Sequence, residues 1–388
     1  MKRIYLDYAA TTPLDPRVRR KMEPFWAREF GNPSSIHQEG VLAKKALDAA
    51  RVAVARVLEA HPDEIVFTSG GTEANNLAIF GVLKSVRYSI SQNTKPHVVT
   101  TSIEHASVLE PLRKLEQEGK ISVTYVPVEK DGRVKVEKIL AAVRPSTVLV
   151  SVMYANNEIG TIQPIARIGK AIRAIGANRP LFHTDACQAP LYLNCLVNTL
   201  GVDLMTLDGH KIYGPKGVGA LYVRRGTPLV PQILGGGQER GRRSTTENLS
   251  GIGGFAEALH LAVAEREKES ARLERLRNQL LSYIRTNVGM SQEIVVNGSL
   301  KQKERLPNNL NISLPGSDTE MLSLQLDAAG IACSTKSSCL RDERESSVVK
   351  ALGGGTTRAQ STLRFTLGRA TTEKEIEQVA TILSHIVY

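Results

Sequence analysis

No run of apolar residues in this chain approaches the roughly 20 that a helix needs to cross a bilayer, so a membrane-spanning protein is not expected. The start, Met1-Lys2-Arg3-Ile4-Tyr5-Leu6-Asp7, has no apolar signal-peptide core and meets an acid early, which points to the cytoplasm. Cysteine is scarce: Cys187, Cys195, Cys333 and Cys339 show neither CxxC spacing nor a disulfide framework. That excludes a stapled secreted scaffold, assigns no metal site and fits a reducing compartment. Internal repeats and low-complexity linkers are missing too, which removes the repeat architectures.

Acid is the minority charge. The 39 Asp and Glu face 50 Lys and Arg, for a net charge of +11. Such an excess can favour nucleic acid or acidic proteins. The basic residues are scattered, however, with only short clusters such as Arg240-Gly241-Arg242-Arg243, and no basic stripe is interleaved with aromatics. No direct nucleic-acid contact is expected, and an acidic protein is the better partner.

What remains is ordinary globular material, 388 residues with 41% hydrophobic and 23% charged, enough for a large core and a smaller domain. Helical periodicity marks 38–60, 73–83, 106–118, 136–143 and 165–175. Short apolar runs mark strands at 65–67, 97–101, 121–126, 147–153, 180–183, 203–206 and 220–223. This alternation predicts an α/β fold with a mainly parallel sheet covered by helices on both faces. Residues 1–30, with Pro13, Pro16 and Pro24, read as irregular. A long amphipathic helix over 251–287 leads to strands at 293–296 and 308–313 and a closing helix at 372–387. The large domain is expected over 15–260, and a small α+β domain over 1–14 with 261–388.

The chemistry centres on Leu207-Asp208-Gly209-His210-Lys211-Ile212-Tyr213-Gly214-Pro215-Lys216-Gly217, between two apolar runs. Its glycines and Pro215 forbid a helix and bring backbone close to whatever lies there. A lysine in such a turn is a candidate Schiff-base lysine, because burial lowers an ammonium pKa and frees the amine to attack a carbonyl. A surface lysine in a Gly-Pro turn satisfies the same local pattern. Ser69-Gly70-Gly71-Thr72-Glu73 joins a strand to a helix N-terminus, which suits a phosphate or a plain N-cap. Asn156-Asn157 and His183-Thr184-Asp185-Ala186-Cys187-Gln188 follow apolar runs, where polar groups face the crevice at the sheet's carboxyl edge. A buried Asp185 needs a cationic or donor partner, unless it only caps a helix. Cys339 stands in a polar, featureless stretch beside Lys336 and Arg341, where a thiol can have a depressed pKa or be incidental.

Taken together, these segments resemble the cysteine desulfurases of the NifS/IscS type, pyridoxal phosphate enzymes of the class V aminotransferase group. The resemblance runs from Tyr5-Leu6-Asp7 to Leu367-Gly368-Arg369. It includes Gly31-Asn32-Pro33-Ser34-Ser35, Glu104-His105, Asn157-Glu158-Ile159-Gly160, Gly235-Gly236-Gly237-Gln238-Glu239-Arg240 and the His210-Lys211 turn. It implies the type I pyridoxal phosphate fold, with a seven-stranded-type sheet, and a homodimer. Lys211 would hold the cofactor and His105 would stack on its ring. Asp185 would pair with the ring nitrogen, with Gln188 and Asn157 near the ring oxygen and substrate. Gly71, Thr72 and His210 would hold the phosphate, joined by Thr246 from the neighbouring subunit. Arg364 would grip the substrate carboxylate, with Asn32 nearby, and Cys339 would be the nucleophile. Arg369 reads as structural, and Cys333 as packing.

The activity so implied converts L-cysteine to L-alanine. The sulfur is held as a persulfide on Cys339 for a protein acceptor in iron–sulfur cluster assembly or tRNA thiolation. A selenocysteine lyase or other β-lyase on the same fold would not depend on Cys339. A non-catalytic sulfur-relay scaffold would have lost the cofactor. Two departures stand out. Asp208 replaces a phosphate-binding serine three residues before the lysine, and is expected to turn away to bond His210 or a backbone N–H. Thr335-Lys336-Ser337-Ser338-Cys339 replaces the family's Ser-Gly-Ser-Ala-Cys, and Lys336 is expected to stiffen the loop and lower the thiol pKa. Few residues follow Arg369, so a long acceptor-docking tail is not expected.

Overall fold

The computed structural model describes residues 3–86, 94–288, 292–335 and 345–387. Its centre is a seven-stranded sheet in the order Ile65–Thr68, Gly219–Val223, Leu204–Asp208, Leu181–Asp185, Thr147–Ser151, His97–Thr101 and Ser122–Val126. All neighbours are parallel except Gly219–Val223, which runs antiparallel to both its partners. The mainly parallel α/β sheet expected from the sequence is therefore present.

Side-chain alternation shows why both faces are covered. Val66, Val98, Leu149 and Leu204 point into a cluster with Ala74, Leu77, Val108 and Leu112 of helices Gly71–Val86 and Ala106–Gln117. Their neighbours Phe67, Val99, Val150 and Met205 point the other way. They meet Leu47 and Val54 of Gln38–Leu58, Ile168 and Ile172 of Ile165–Arg173, and Phe255 and Leu259 of Leu249–Asn287. Strands apolar on both faces are stable only between two helical layers.

Helix Leu249–Asn287 is shared by two cores. Its first half packs under the sheet, whereas Leu273, Leu276, Leu280 and Ile284 join a separate cluster. That cluster also holds Ile4 and Leu6, Leu310 and Ile312, Leu363 and Phe365, and Ile376, Val379 and Leu383. Its antiparallel strands are Val295–Val296, Asn309–Ser313 and Thr362–Thr366, while Ile4–Tyr5 pairs in parallel with Ile331–Ala332.

Residues 1–30 are not irregular throughout. Pro16–Met22 is a helix whose N-cap Asp15 accepts from the Arg17 N–H, and Pro24–Ala27 is a second short helix. Both prolines occupy the first helical position, where the missing N–H costs nothing and the fixed φ favours the helix.

A buried ion pair ties a strained loop to the sheet edge. Arg51 donates to both carboxylate oxygens of Glu239, at 2.7 and 2.8 Å, and to the Ile65 carbonyl, and lies 4.7 Å over the Phe67 ring. Glu239 also accepts from the Phe67 N–H, although it and Arg240 hold φ of 49° and 57°. Left-handed backbone at two consecutive non-glycine residues persists only where surrounding contacts over-determine it. Removing one partner of a buried pair leaves an uncompensated charge, so Glu239→Ala should cost about 3–5 kcal/mol in urea unfolding. A loss below about 1 kcal/mol would show that the pair does not anchor this loop.

Candidate active site

The carboxyl ends of strands Thr147–Ser151, Leu181–Asp185 and Leu204–Asp208 open on one edge, where a crevice forms in open α/β sheets. After Asp208 the chain makes a single 3-10 turn, Gly209–Lys211. A Cβ at Gly209 would stand 2.9 Å from the carbonyl oxygens of both Pro215 and Val218, so the turn closes this tightly only with glycine. The N-terminal segment then laces onto it. Thr12 donates from its N–H and its hydroxyl to the His210 carbonyl, at 3.0 and 2.8 Å, and its Oγ1 accepts from the Tyr213 N–H at 2.7 Å. Lys211 Nζ donates to the carbonyls of Ala9 and Ala10 at 2.7 and 2.8 Å, which aims the amine into the crevice. Lys211 is thus not a surface lysine.

Asp185 closes the floor. Its carboxylate is buried, accepting from Asn75 Nδ2 at 2.7 Å and from the Cys187 N–H at 3.0 Å, and it forms no ion pair with a described residue. A buried carboxylate so placed calls for a cation from outside the chain. Asn75 also donates to Ser107 Oγ, which lies 2.8 Å from His105 Nδ1. His105 is the N-cap of helix Ala106–Gln117. Beneath it, burial pushes the Glu104 carboxyl up to about 8, against the opposing hydrogen bonds from Thr101 and the Met153 N–H. Burial likewise pushes His183 down to about 4, so this ring, between Ser151 and Thr206, is neutral.

One hollow gathers Lys211, Asp185, His105, Asn157, Gln188, Gly71, Thr72, His210 and Arg364. Arg364 is almost fully buried. It donates to Asp7 Oδ1 at 2.7 Å and to the Asn157 carbonyl at 3.0 Å, while its Nε has no hydrogen-bond partner among the described residues. Two of its faces are thus held by the chain and one donor is in reserve. Asn32 and Thr246 are not in this hollow. They line a neighbouring surface depression with Trp26, Phe30 and Lys216. Cys339 and Lys336 lie outside the described residues.

The sequence reading missed several site residues. Asn75 stands one helical turn after Gly71, a spacing that could have marked it. Ser107 and the Ala9 and Ala10 carbonyls carried no signal. Cys187 also lines the hollow, yet burial, then the charges of Asp185 and Asp208, push its thiol well up and keep it protonated. Burial pushes Cys195 and Cys333 up to about 12, and Cys333 packs against the second core.

At the other end of the hollow, Gly70 has φ of 147° and the first N–H groups of helix Gly71–Val86 face inward at its positive end. Asp208 does accept from backbone N–H groups, as expected. One of them is Gly71, at 2.7 Å, and the other is His210, at 3.2 Å. Gly71 is one of the residues expected at the phosphate, so Asp208 turns toward those donors and not away from them. Burial pushes His210 down and the nearby Asp208 charge opposes this. The floor and amine thus fit pyridoxal phosphate, with Asp185, Lys211 and His105 lining one hollow. Gly71, Thr72 and His210 suit the phosphate, with Asp208 seated among them.

The Aminotransferase class-V family profile matches residues 4–379. The cysteine desulfurase IscS of Dictyoglomus turgidum is 42% identical over 389 residues, covering 100% of this chain and 95% of that protein. That of Klebsiella pneumoniae is 45% identical, covering 96% and 90%. A solved NifS-like protein superposes with a TM-score of 0.90 at 36% identity, covering 99% of each chain. SspA in complex with cysteine superposes with a TM-score of 0.78 at 33% identity, covering 94% of this chain and 98% of that one.

Glu104 supplies a pH test of this packing. Its carboxyl is raised in the folded chain, so the fold retains a proton that the unfolded chain releases near its ordinary pKa. Stability from the neutral carboxyl is complete below about 4.5 and is lost as pH rises toward about 8. Glu104→Gln should remove up to about 1.4 kcal/mol of this loss per pH unit in that window, read as a flatter profile of melting temperature against pH. Parallel profiles for the two proteins would contradict a neutral Glu104.

Proposed function

The chain belongs to the aminotransferase class-V family as a pyridoxal phosphate-dependent cysteine desulfurase, and on that premise we propose that it holds the sulfur of L-cysteine as a persulfide on Cys339 and passes it to a protein acceptor. The observation that carries the reading is the meeting of Lys211, Asp185, His105 and Arg364 in one hollow. Bound there, the cofactor supplies an electron sink that weakens the substrate's Cα–H and Cβ–S bonds. Asp185 would keep the ring nitrogen protonated, and Gly71, Thr72 and His210 would hold the phosphate. Arg364 takes the substrate carboxylate, its plane fixed by Asp7 and the Asn157 carbonyl so that little is lost in orienting it. Lys211 Nζ takes the α-proton, its other hydrogens directed to Ala9 and Ala10.

Desolvation raises the thiols of Cys187, Cys195 and Cys333 and keeps them protonated, which supports Cys339 as the nucleophile. The described chain on either side of its segment supports this. Ser334 pairs with Arg364 through both backbone groups, and Ser346 Oγ donates to Glu158 at 2.6 Å, next to Asn157. Both anchors therefore flank the substrate arginine. The thiolate attacks the substrate sulfur, an S–S bond forms as the Cβ–S bond breaks, and the three-carbon fragment gains one proton at Cβ and recovers one at Cα from Lys211 before leaving as L-alanine.

Two units are proposed, a large one over 15–260 and a small one over 1–14 with 261–388 that carries the Cys339 segment. A homodimer is proposed because Thr246 and Asn32 lie together outside the hollow, beside exposed Trp26 and Phe30, as residues serving a partner's site would. The cytoplasm is proposed as the compartment, and iron–sulfur cluster assembly or tRNA thiolation as the use. Among the described residues no helix is long and apolar enough to cross a membrane, and the net charge of +11 suits an acidic acceptor.

A single-turnover incubation with L-cysteine and no reductant tests the reading. Alanine and one added sulfur on the Cys339 peptide are expected, with both lost in Cys339→Ala. Alanine that survives this substitution would contradict the persulfide step and indicate a lyase that ejects sulfur directly.

A further inference from the structure

The chain seats one of its own carboxylates on donors that a phosphate would use. Asp208 Oδ2 accepts from the Gly71 N–H at 2.7 Å, Oδ1 accepts from the His210 N–H at 3.2 Å, and His210 Nε2 is 3.5 Å from Oδ2. Gly71 opens a 16-residue helix, so its N–H belongs to the positive end of a full helix dipole. The fit is close: a Cβ at Gly71 would stand 3.0 Å from Oδ2 and 2.6 Å from Cys187 Sγ. The Asp208 side chain is only 10% exposed, so water would screen little of the repulsion between its carboxylate and an arriving phosphate.

Among the described residues, no neighbouring side chain is available to cancel that repulsion. On the same turn, burial pushes His210 down toward its neutral form, and Lys211 is held by Ala9 and Ala10. At the end of the adjacent strand, Asp185 adds a like charge and the Cys187 thiol is kept neutral. On the helix that opens at Gly71, Glu73 is paired with Arg243. From the other walls, His105 is bonded to Ser107 and Arg364 is paired with Asp7, while Lys216 lies beyond the turn and acts on His210.

We propose that Asp208 binds the cofactor phosphate as a carboxylic acid, its O–H donating to a phosphate oxygen while the Gly71 N–H passes to the phosphate. One proton is taken from solvent for each cofactor bound, and it lies between a carboxylate oxygen and a phosphate oxygen. Without cofactor the ionised carboxylate keeps the cradle's N–H groups paired. The inference deepens the desulfurase reading and rests on its assignment of Gly71 and His210 to the phosphate. A proton bound in the complex and absent from the free chain makes affinity fall as pH rises, by about tenfold per unit. Asp208 is in this account a positioning and specificity residue for the phosphorylated cofactor.

The test compares wild type with Asp208→Asn and Asp208→Ser, the second keeping a hydroxyl donor should the first misfold. Two readouts are taken from about pH 6 to about pH 9, a range that spans the second phosphate pKa. One is the phosphorus NMR resonance of the holoenzyme. The other is the dissociation constant for pyridoxal phosphate and for phosphate-free pyridoxal, the latter correcting for titration of the lysine amine. In wild type the resonance should sit away from that of both variants while the shared proton is held, and affinity for pyridoxal phosphate should fall more steeply with pH than that for pyridoxal. In both variants the resonance should be invariant and the extra slope gone. Equal slopes and identical resonances in all three proteins would overturn the proposal and leave the desulfurase reading intact. Failure to bind either compound would overturn both.

Discussion

The contact on which the site depends is the docking of residues 9–15 against the Lys211 turn. Two backbone carbonyls fix the amine, and Thr12 satisfies both the His210 carbonyl and the Tyr213 N–H. Tyr213 holds φ of 62°, a conformation a bulky residue keeps only when neighbours over-determine it. They do so here: Asp15 N–H donates to its carbonyl, Arg369 N–H donates to its hydroxyl, and the Arg369 guanidinium lies 4.2 Å over its ring. The same N-terminal segment reaches the second core, because Thr366 N–H donates to the Leu6 carbonyl and Asp7 pairs with Arg364. Lys211 and Arg364 are thereby positioned by one short piece of chain that belongs to neither strand.

Electrostatically the site is a row of buried groups whose environments drive them apart. The Glu104 carboxyl is raised, His183 and His210 are lowered, and the Cys187 thiol is raised, so these four are neutral near pH 7. Asp185 is different, being held by Asn75 and the Cys187 N–H without a counter-ion. With those four groups neutral, its carboxylate acts on whatever fills the floor without their screening, and a low local dielectric magnifies it. That suits a task in which a ring nitrogen must be kept protonated.

Much of this was legible in the sequence for a simple reason. Most of the seven strands are short buried apolar runs, ended by glycine, proline or polar residues. The Lys211 turn was legible because Gly209, Gly214 and Pro215 permit no regular structure. What stayed hidden were interactions between residues far apart in the chain. Asp208 and Gly71 are 137 positions apart, and Arg364 and Asp7 are 357 apart, so neither pairing leaves a local trace. The helix at Pro16–Met22 was hidden for the opposite reason: proline reads locally as a breaker, yet behind the Asp15 cap it starts the helix. Asn75 was missed because only the settled register of its helix shows that it faces Asp185 and not solvent.

The most direct measurement is borohydride reduction of the holoenzyme followed by peptide mapping. A lysine held by the Ala9 and Ala10 carbonyls, at the mouth of a hollow floored by Asp185, should carry the cofactor as a reduced, covalent adduct. The account predicts a single pyridoxyl-modified peptide containing Lys211. An adduct on Lys216 or elsewhere, or no adduct on a protein that turns over L-cysteine, would contradict it.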